Sequence, residues 1–307
     1  MASSPSPFHS FNAAGAKAFL RQHQRKVAAG GGIIVASTVA VTARLRMQAY
    51  DTALKHRQAQ NGMQVFAGCV RSLERRGLDC SACVSLGTYN AVAPSAAAIK
   101  GAGKYQESCL VVVFGNSKVL WDHFVDAYKE DKDVRDSADP LDAFVEKATR
   151  ASIREALGLT DDEEIPGVRV YWSKDTEDGK LVAIQRMAHE ARLAYLDETT
   201  HQSIHPKFGP WCAFRGAIVF DDVMGPDAMP APMTCPVSDE ALKDASQAFD
   251  VAIKNYTNTS GEDPEQWKLW LAARDAMDGG KFVEHRYGED QMHWHYQVDR
   301  KTIRDRM

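Results

Sequence analysis

The richest concentration of chemistry-bearing residues runs from Ile204 to Gly216, where Pro206, Gly209 and Pro210 shape a loop that leads into an aromatic, β-branched stretch with Arg215 inside it. A guanidinium among apolar neighbours on a strand either faces solvent or turns inward. Strand alternation by itself leaves both open, but an inward Arg215 needs an anionic partner to offset its desolvation. His201 and His205, four apart, have the spacing of two metal ligands on one helix face, but Pro206 disfavours helical geometry at His205 and no HExxH glutamate is present, so no metal is assigned. Cys80 and Cys83 have the spacing of half a zinc site or a redox dithiol; with no second such pair, they read as two small residues on a sheet. His293 and His295 would share a face on a strand and diverge on a helix. No GxGxxG, P-loop or GxSxG sequence occurs, which removes support for a Rossmann cofactor site, a phosphate cradle or a hydrolase triad.

The elements that must position these residues are short strands alternating with helices. From about Met47 a helical pattern runs to Leu73, closed by the basic turn Arg75-Arg76 and by Gly77. Cys80 to Thr88 alternates loosely, and the apolar run Cys109 to Gly115 is the clearest strand of the first half. Ser117 is positioned to cap a helix through Tyr128; Asp139 and Pro140 open another that Gly158 ends. Val168 to Trp172 and Leu181 to Ile184 are expected to pair as a hairpin around Asp178-Gly179, with a helix from about Arg186 to Leu196 after it. Trp211 to Phe220 reads as a strand. Four prolines make 225–236 a loop, and two helices come after it, around Leu242 to Tyr256 and Trp267 to Met277. The mixture points to an α+β domain with a mostly antiparallel sheet flanked by helices.

Four motifs in order carry a family resemblance. The run IHPKFGPWCAFRG resembles the signature of the CblC-type cobalamin-processing proteins, cyanocobalamin reductases and alkylcobalamin dealkylases. Tyr89-Asn90, Pro94 and CLVVVFGNSKVLWDHFVDAY upstream, the segment Val168 to Ala194, and LAARDA with RYGEDQ downstream are similar to other parts of that family, so the likeness covers roughly 63–304. It departs from the pattern in a shortened stretch between His189 and His205, and in having Leu196, Asp197 and Ala273 where the family can carry tyrosines.

The resemblance implies a flavin reductase/nitroreductase-like fold, with a cavity that takes cobalamin base-off. Cyanocobalamin would lose cyanide to electrons from reduced FMN or FAD, with NADP as the linked dinucleotide. Alkylcobalamins would lose their alkyl group to the glutathione thiolate. It assigns Arg215, Arg274 and Arg304, with Arg300 as the alternative to Arg304, to orienting glutathione, and His189, Val182, Ala183, Ile184, Gln185, Tyr171, Thr200, Phe214 and Tyr287 to the corrin site, with Trp270 as further aromatic surface. It implies a cobalamin-trafficking partner that serves the methionine synthase pathway, and homodimerisation on ligand binding. The same residues would also suit a cobalamin chaperone without turnover or a flavin-dependent reductase.

Composition fits this reading: 307 residues, 44% hydrophobic and 25% charged, describe an ordinary globular chain. A net charge of −4 gives no global reason to expect nucleic acid as a partner. Residues 1–50, however, contain six Lys/Arg and no acid, and Val27 to Ala43 carries no charge. That segment reads as an N-terminal extension outside the 51–307 domain. It would suit mitochondrial or plastid targeting or a membrane anchor, set against the cytoplasmic location that the family likeness implies. Six scattered cysteines are too few for a disulfide scaffold.

Overall fold

The computed structural model describes residues 44–45, 61–160 and 164–307. The elements below belong to one compact unit, Gln58–Met307. The expected N-terminal extension and the start of the first helix lie almost wholly outside the described residues. No helix among those described is long and apolar enough to cross a membrane.

The first helix, α1, occupies residues 61–74 and ends as expected: Gly77 adopts φ 80°, and the Leu78 N–H donates back to the Leu73 carbonyl. β1 (Cys80–Ser85) leads to the short helix α2 (Leu86–Asn90) and then to β2 (Cys109–Asn116), every residue of which is buried. Such a strand is covered on both faces, which is why its sequence is a continuous apolar run. Next come α3 (Leu120–Glu130) and α4 (Lys132–Arg135). α5 (Pro140–Leu157) is capped by the Asp139 carboxylate, which accepts from the Asp142 N–H at 3.2 Å, and ends at Gly158, φ 69°.

β3 (Val168–Trp172) forms as expected, but its hairpin partner does not. Residues 181–183 have no strand pairing, and α6 (Ile184–Glu190) begins directly after them. The turn at Asp178-Gly179 is present, with Gly179 at φ 77°. The chain beyond it is pulled into the core instead, where Val182, Met187 and Ala188 are buried. A four-residue apolar run suits either fate, and tertiary burial decided it. β4 (Tyr195–Asp197) pairs with β5 (Gln202–Ile204), so the helix expected to reach Leu196 stops at Glu190. β6 (Ala213–Met224) completes the main sheet, whose order is β1-β2-β6-β3 with every pairing antiparallel. α7 (Asp239–Thr259) and α8 (Gln266–Asp278) form a helical pair, succeeded by α9 (Glu289–His295) and α10 (Arg300–Arg306). The expected α+β class with an antiparallel sheet flanked by helices is therefore the observed one.

Alternation divides the core. Leu110, Val112 and Phe114 of β2 join Ile218 and Phe220 of β6 against α1, α3, α5 and Trp294. Val111, Val113, Ala217 and Val219 face the other way, against α2 and α6. Cys80 packs in the second layer and Cys83 against the first, so a strand puts the two thiols on opposite faces and they form no dithiol.

Candidate functional site

The start of β6 is where the sheet departs from regular pairing. Phe114 sits opposite Gly216, but Gly115 sits opposite Phe214, so Arg215 has no partner on β2. It is the extra residue of a β-bulge, a feature that re-aims side chains. Regular alternation from Ile218 would send Phe214 toward the α3–α5 layer and Arg215 toward the α6 layer. The bulge reverses both: Phe214 packs with the α6 layer, and Arg215 lines a small cavity beside Leu120, Trp121 and Trp294. Gly115 permits the distortion, because a Cβ there would lie 2.4 Å from the Ala213 carbonyl oxygen.

The Arg215 side chain is held by one neutral group, Asn116, whose Oδ1 accepts from Nε at 2.7 Å. Among the described residues it makes no ion pair. Burial pulls its pKa below the usual guanidinium value; Arg300 adds to that, and Tyr287, Asp142 and Asp139 oppose it. The cavity it lines measures about 70 Å³ and also presents Asp139, Asp142, Tyr287, Gln291, His295 and Arg300. Both acids are engaged, Asp139 with Arg300 at 3.0 Å and Asp142 with Lys174 at 3.0 Å. The Tyr287 residue is only 3% exposed, and burial, opposed by the neighbouring Arg274 and Arg215, pushes its pKa up to about 12.

A larger cavity, about 390 Å³, opens between β6, β5 and the α7–α8 pair. Ile184, Phe214, Phe249 and Trp270 give it apolar walls; Gln185, Gln202, Ser203 and Arg274 give it polar groups. Arg274 is buried, donates from Nε to the Pro210 carbonyl (2.7 Å) and from Nη2 to the Cys212 carbonyl (3.2 Å), and lies between the rings of Trp211 and Tyr287 at 4.7 and 4.8 Å. The loop that its sequence motif forms therefore receives Arg274 as its internal brace, while the guanidinium still faces the cavity. His295 lines both cavities. Burial, with Arg274, Arg215 and Arg300 around it, drives its pKa down to about 3, so it is a neutral imidazole in a cationic setting.

The structure thus brings together Arg215, Arg274, Phe214, Ile184, Gln185, Tyr287 and Trp270. Of the two alternatives on α10, Arg300 lines the small cavity, whereas Arg304 lies over Trp294, donates to the Ala138 carbonyl and lines neither cavity. Five further expected residues also line neither. The His189 Nδ1 accepts from the Leu196 N–H at 3.1 Å, and the Thr200 hydroxyl donates to Asp197 at 2.6 Å. Tyr171 accepts from Arg169. Val182 is packed in the core, and the Ala183 N–H donates to the Tyr89 hydroxyl. Sequence reasoning missed Asn116, Phe249, Gln202 and Ser203, and it assigned His295 no role. α9 is a helix, so the two histidines diverge: His293 meets Trp267, and His295 reaches the cavities. No cluster able to hold a metal ion occurs among the described residues, His201 and His205 included.

The arrangement is an α+β fold with two cavities beside a bulged central strand, lined by apolar side chains and by guanidinium groups. No protein-family model matches the sequence, and no curated protein matches it. Among solved structures, the chain is similar to a C. elegans B12-trafficking protein, CblC, described as a human MMACHC homologue. The TM-score is 0.56 at 14% identity, over 80% of this chain and 96% of that one. The fold is therefore CblC-like, as the sequence motifs implied.

Proposed function

We propose that this chain is a cobalamin-processing enzyme, which binds cobalamin base-off and removes its upper axial ligand. The observation that carries the reading is the bulge at Arg215: it turns an otherwise unpaired guanidinium of a central strand into the small cavity that Arg300 also lines, while Arg274 lines the larger cavity and His295 lines both. Arg215 and Arg274 have no carboxylate partner among the described residues, whereas Arg300 is paired with Asp139. Such unpaired guanidinium groups are receptors for an anionic ligand, and glutathione, with two carboxylates and a thiol, fits that demand. The CblC-like fold and the four sequence motifs support cobalamin as the other ligand.

Size sets a condition on binding. A volume of about 390 Å³ is at the low end for ligand pockets, which run roughly 300–1,000 Å³. It suits a tripeptide or one edge of a corrin, so the whole corrinoid requires α7–α8 to move back from β6. That pair meets the body of the protein through two small clusters, one with Ile204, Ala245 and Met277 as its buried members and one in which Trp267 and Leu271 pack against Trp211, Phe282, Tyr287 and Met292.

In this reading Phe214, Ile184 and Trp270 meet the flat apolar face of the corrin, and Gln185 and Gln202 meet its amide rim. Arg215, Arg274 and Arg300 fix the glutathione carboxylates, which brings the sulfur to the cobalt-bound carbon and replaces an encounter with a positioned reaction. The thiolate attacks that carbon, a carbon–sulfur bond forms, and the carbon–cobalt electron pair stays on cobalt as cob(I)alamin. The surrounding positive charge favours the thiolate over the thiol. A flavin, when bound against the same apolar wall, would supply the electrons that expel cyanide from cyanocobalamin. Incubation of the full chain with methylcobalamin and glutathione under anaerobic conditions tests the proposal: S-methylglutathione should appear by mass spectrometry in proportion to methylcobalamin lost. Binding without that product would reduce the protein to a carrier.

A further inference from the structure

Arg215 owes its orientation to a chain of hydrogen bonds that the reaction itself does not require. Asp79 begins it, accepting from the Ser117 N–H at 2.7 Å and from the Ser117 hydroxyl at 2.6 Å. The Ser117 carbonyl accepts from the Asn116 Nδ2 at 2.8 Å. That bond settles which way the Asn116 amide faces, since its nitrogen is committed to Ser117 and its oxygen must point at the Arg215 Nε. Asn116 is 1% exposed and sits opposite Ala213, next to the bulge. Its side chain has no freedom to turn away.

The chemistry of this residue type has two consequences. An amide fixes the guanidinium through Nε without neutralising it, as a carboxylate at the same place would. Because Nε is occupied, Nη1 and Nη2 remain, and no described residue accepts from either. They form the end-on fork that matches the two oxygens of one carboxylate. The cavity of about 70 Å³ in front of them is of carboxylate size, and Tyr287 also lines it.

We propose that Asn116 is the positioning residue of the anion site: it presents the Arg215 fork, still fully charged, to a single carboxylate of the thiol co-substrate. The inference rests on the proposed glutathione chemistry and deepens it.

The test uses the full chain with Asn116→Asp, which neutralises the guanidinium at nearly constant shape, and with Asn116→Leu, which releases it. S-methylglutathione, which cannot react, serves as the probe by calorimetry, and its monoesters at either carboxylate serve as the comparison. Wild type should bind the diacid, and esterifying one particular carboxylate should weaken binding at least tenfold. In both variants diacid affinity should fall at least tenfold and discrimination against that ester should shrink to within about twofold. The methylcobalamin base-off spectrum should be unchanged, which reports that the variants fold. A purely structural Asn116 would not erase discrimination between ligand carboxylates. Retained discrimination in a folded variant would overturn the positioning role and leave the glutathione reading intact. Failure of the wild-type protein to bind the diacid at all would overturn both.

Discussion

Replacing Arg215 by Met separates a functional cation from a structural one. The substitution removes a partly buried guanidinium with no ion pair among the described residues and keeps most of the side-chain volume. Relief of the desolvation that such a charge suffers is worth about 1–4 kcal/mol when buried ionic groups are exchanged for apolar ones. Against this stands the Asn116 Oδ1, which loses its only donor and is left unsatisfied at a cost of about 1–3 kcal/mol. The two nearly cancel, so the net change should stay within about 1 kcal/mol, or roughly 4 °C in Tm for a unit of this size. If Arg215 were a structural anchor, its removal would cost about 3–5 kcal/mol, a fall of roughly 6–20 °C. Differential scanning calorimetry measures this directly. The same variant should lose glutathione-dependent demethylation by at least tenfold, because a charge-assisted bidentate contact is gone. A Tm lowered by more than about 6 °C, or a demethylation rate within twofold of wild type, would refute the assignment.

The geometry sets three other outcomes. Gly216→Ala places a Cβ 2.5 Å from the Tyr171 carbonyl oxygen, in backbone that cannot yield cheaply, and should cost about 2 kcal/mol, lowering Tm by roughly 4–8 °C. An unchanged Tm would show that β3 can move away from β6. His205 accepts from the Lys207 and Phe208 N–H groups through Nδ1, and burial, aided by Lys207 and His285 and opposed by Asp79, lowers its pKa to about 4. The folded protein therefore resists a proton that the unfolded chain takes up. Stability is complete above the ordinary histidine value and is lost as pH falls from about 6.5 toward 4, by about 1–2 kcal/mol at pH 5. His205→Asn, whose side-chain oxygen replaces Nδ1, should flatten denaturant midpoints over that range; an equal slope in both proteins would place the titrating group elsewhere. Finally, cobalamin should speed amide exchange in residues 239–278 as the helical pair moves back. Uniform protection there would mean that the ligand docks without opening the cavity.

The layers of the fold were legible wherever one local rule decided the outcome. Asp139-Pro140 and Gly158 bounded α5 because capping is a short-range effect, and the apolar run of β2 announced a strand covered on both faces. The hairpin at 181–184 was not legible, since the same four residues could pair or sink and only the core opposite them selects. Nor was the orientation of Arg215. Alternation offers two faces, whereas the bulge that chooses between them depends on Gly115 facing Phe214 across the sheet. The motif resemblance supplied Arg215 and Arg274 before any geometry did. Sequence spacing could not separate Arg300 from Arg304, which lie one turn apart on α10. Asn116 carried no signal beyond ending a strand, because its partners, Arg215 and the Asp79-held Ser117, meet it only in the folded sheet. His295 was left without a role because its spacing from His293 fits either a strand or a helix, and only the folded chain selects the helix.

The central claim is that this cavity takes cobalamin with its lower base detached and presents the upper ligand to a thiol. The most direct measurement is a visible absorbance titration of the purified protein against methylcobalamin in the dark, with glutathione added afterwards. The expected result is a shift to the base-off spectrum on binding and then glutathione-dependent loss of the methyl–cobalt absorbance. A spectrum that stays base-on at saturating protein, before and after glutathione, would contradict it.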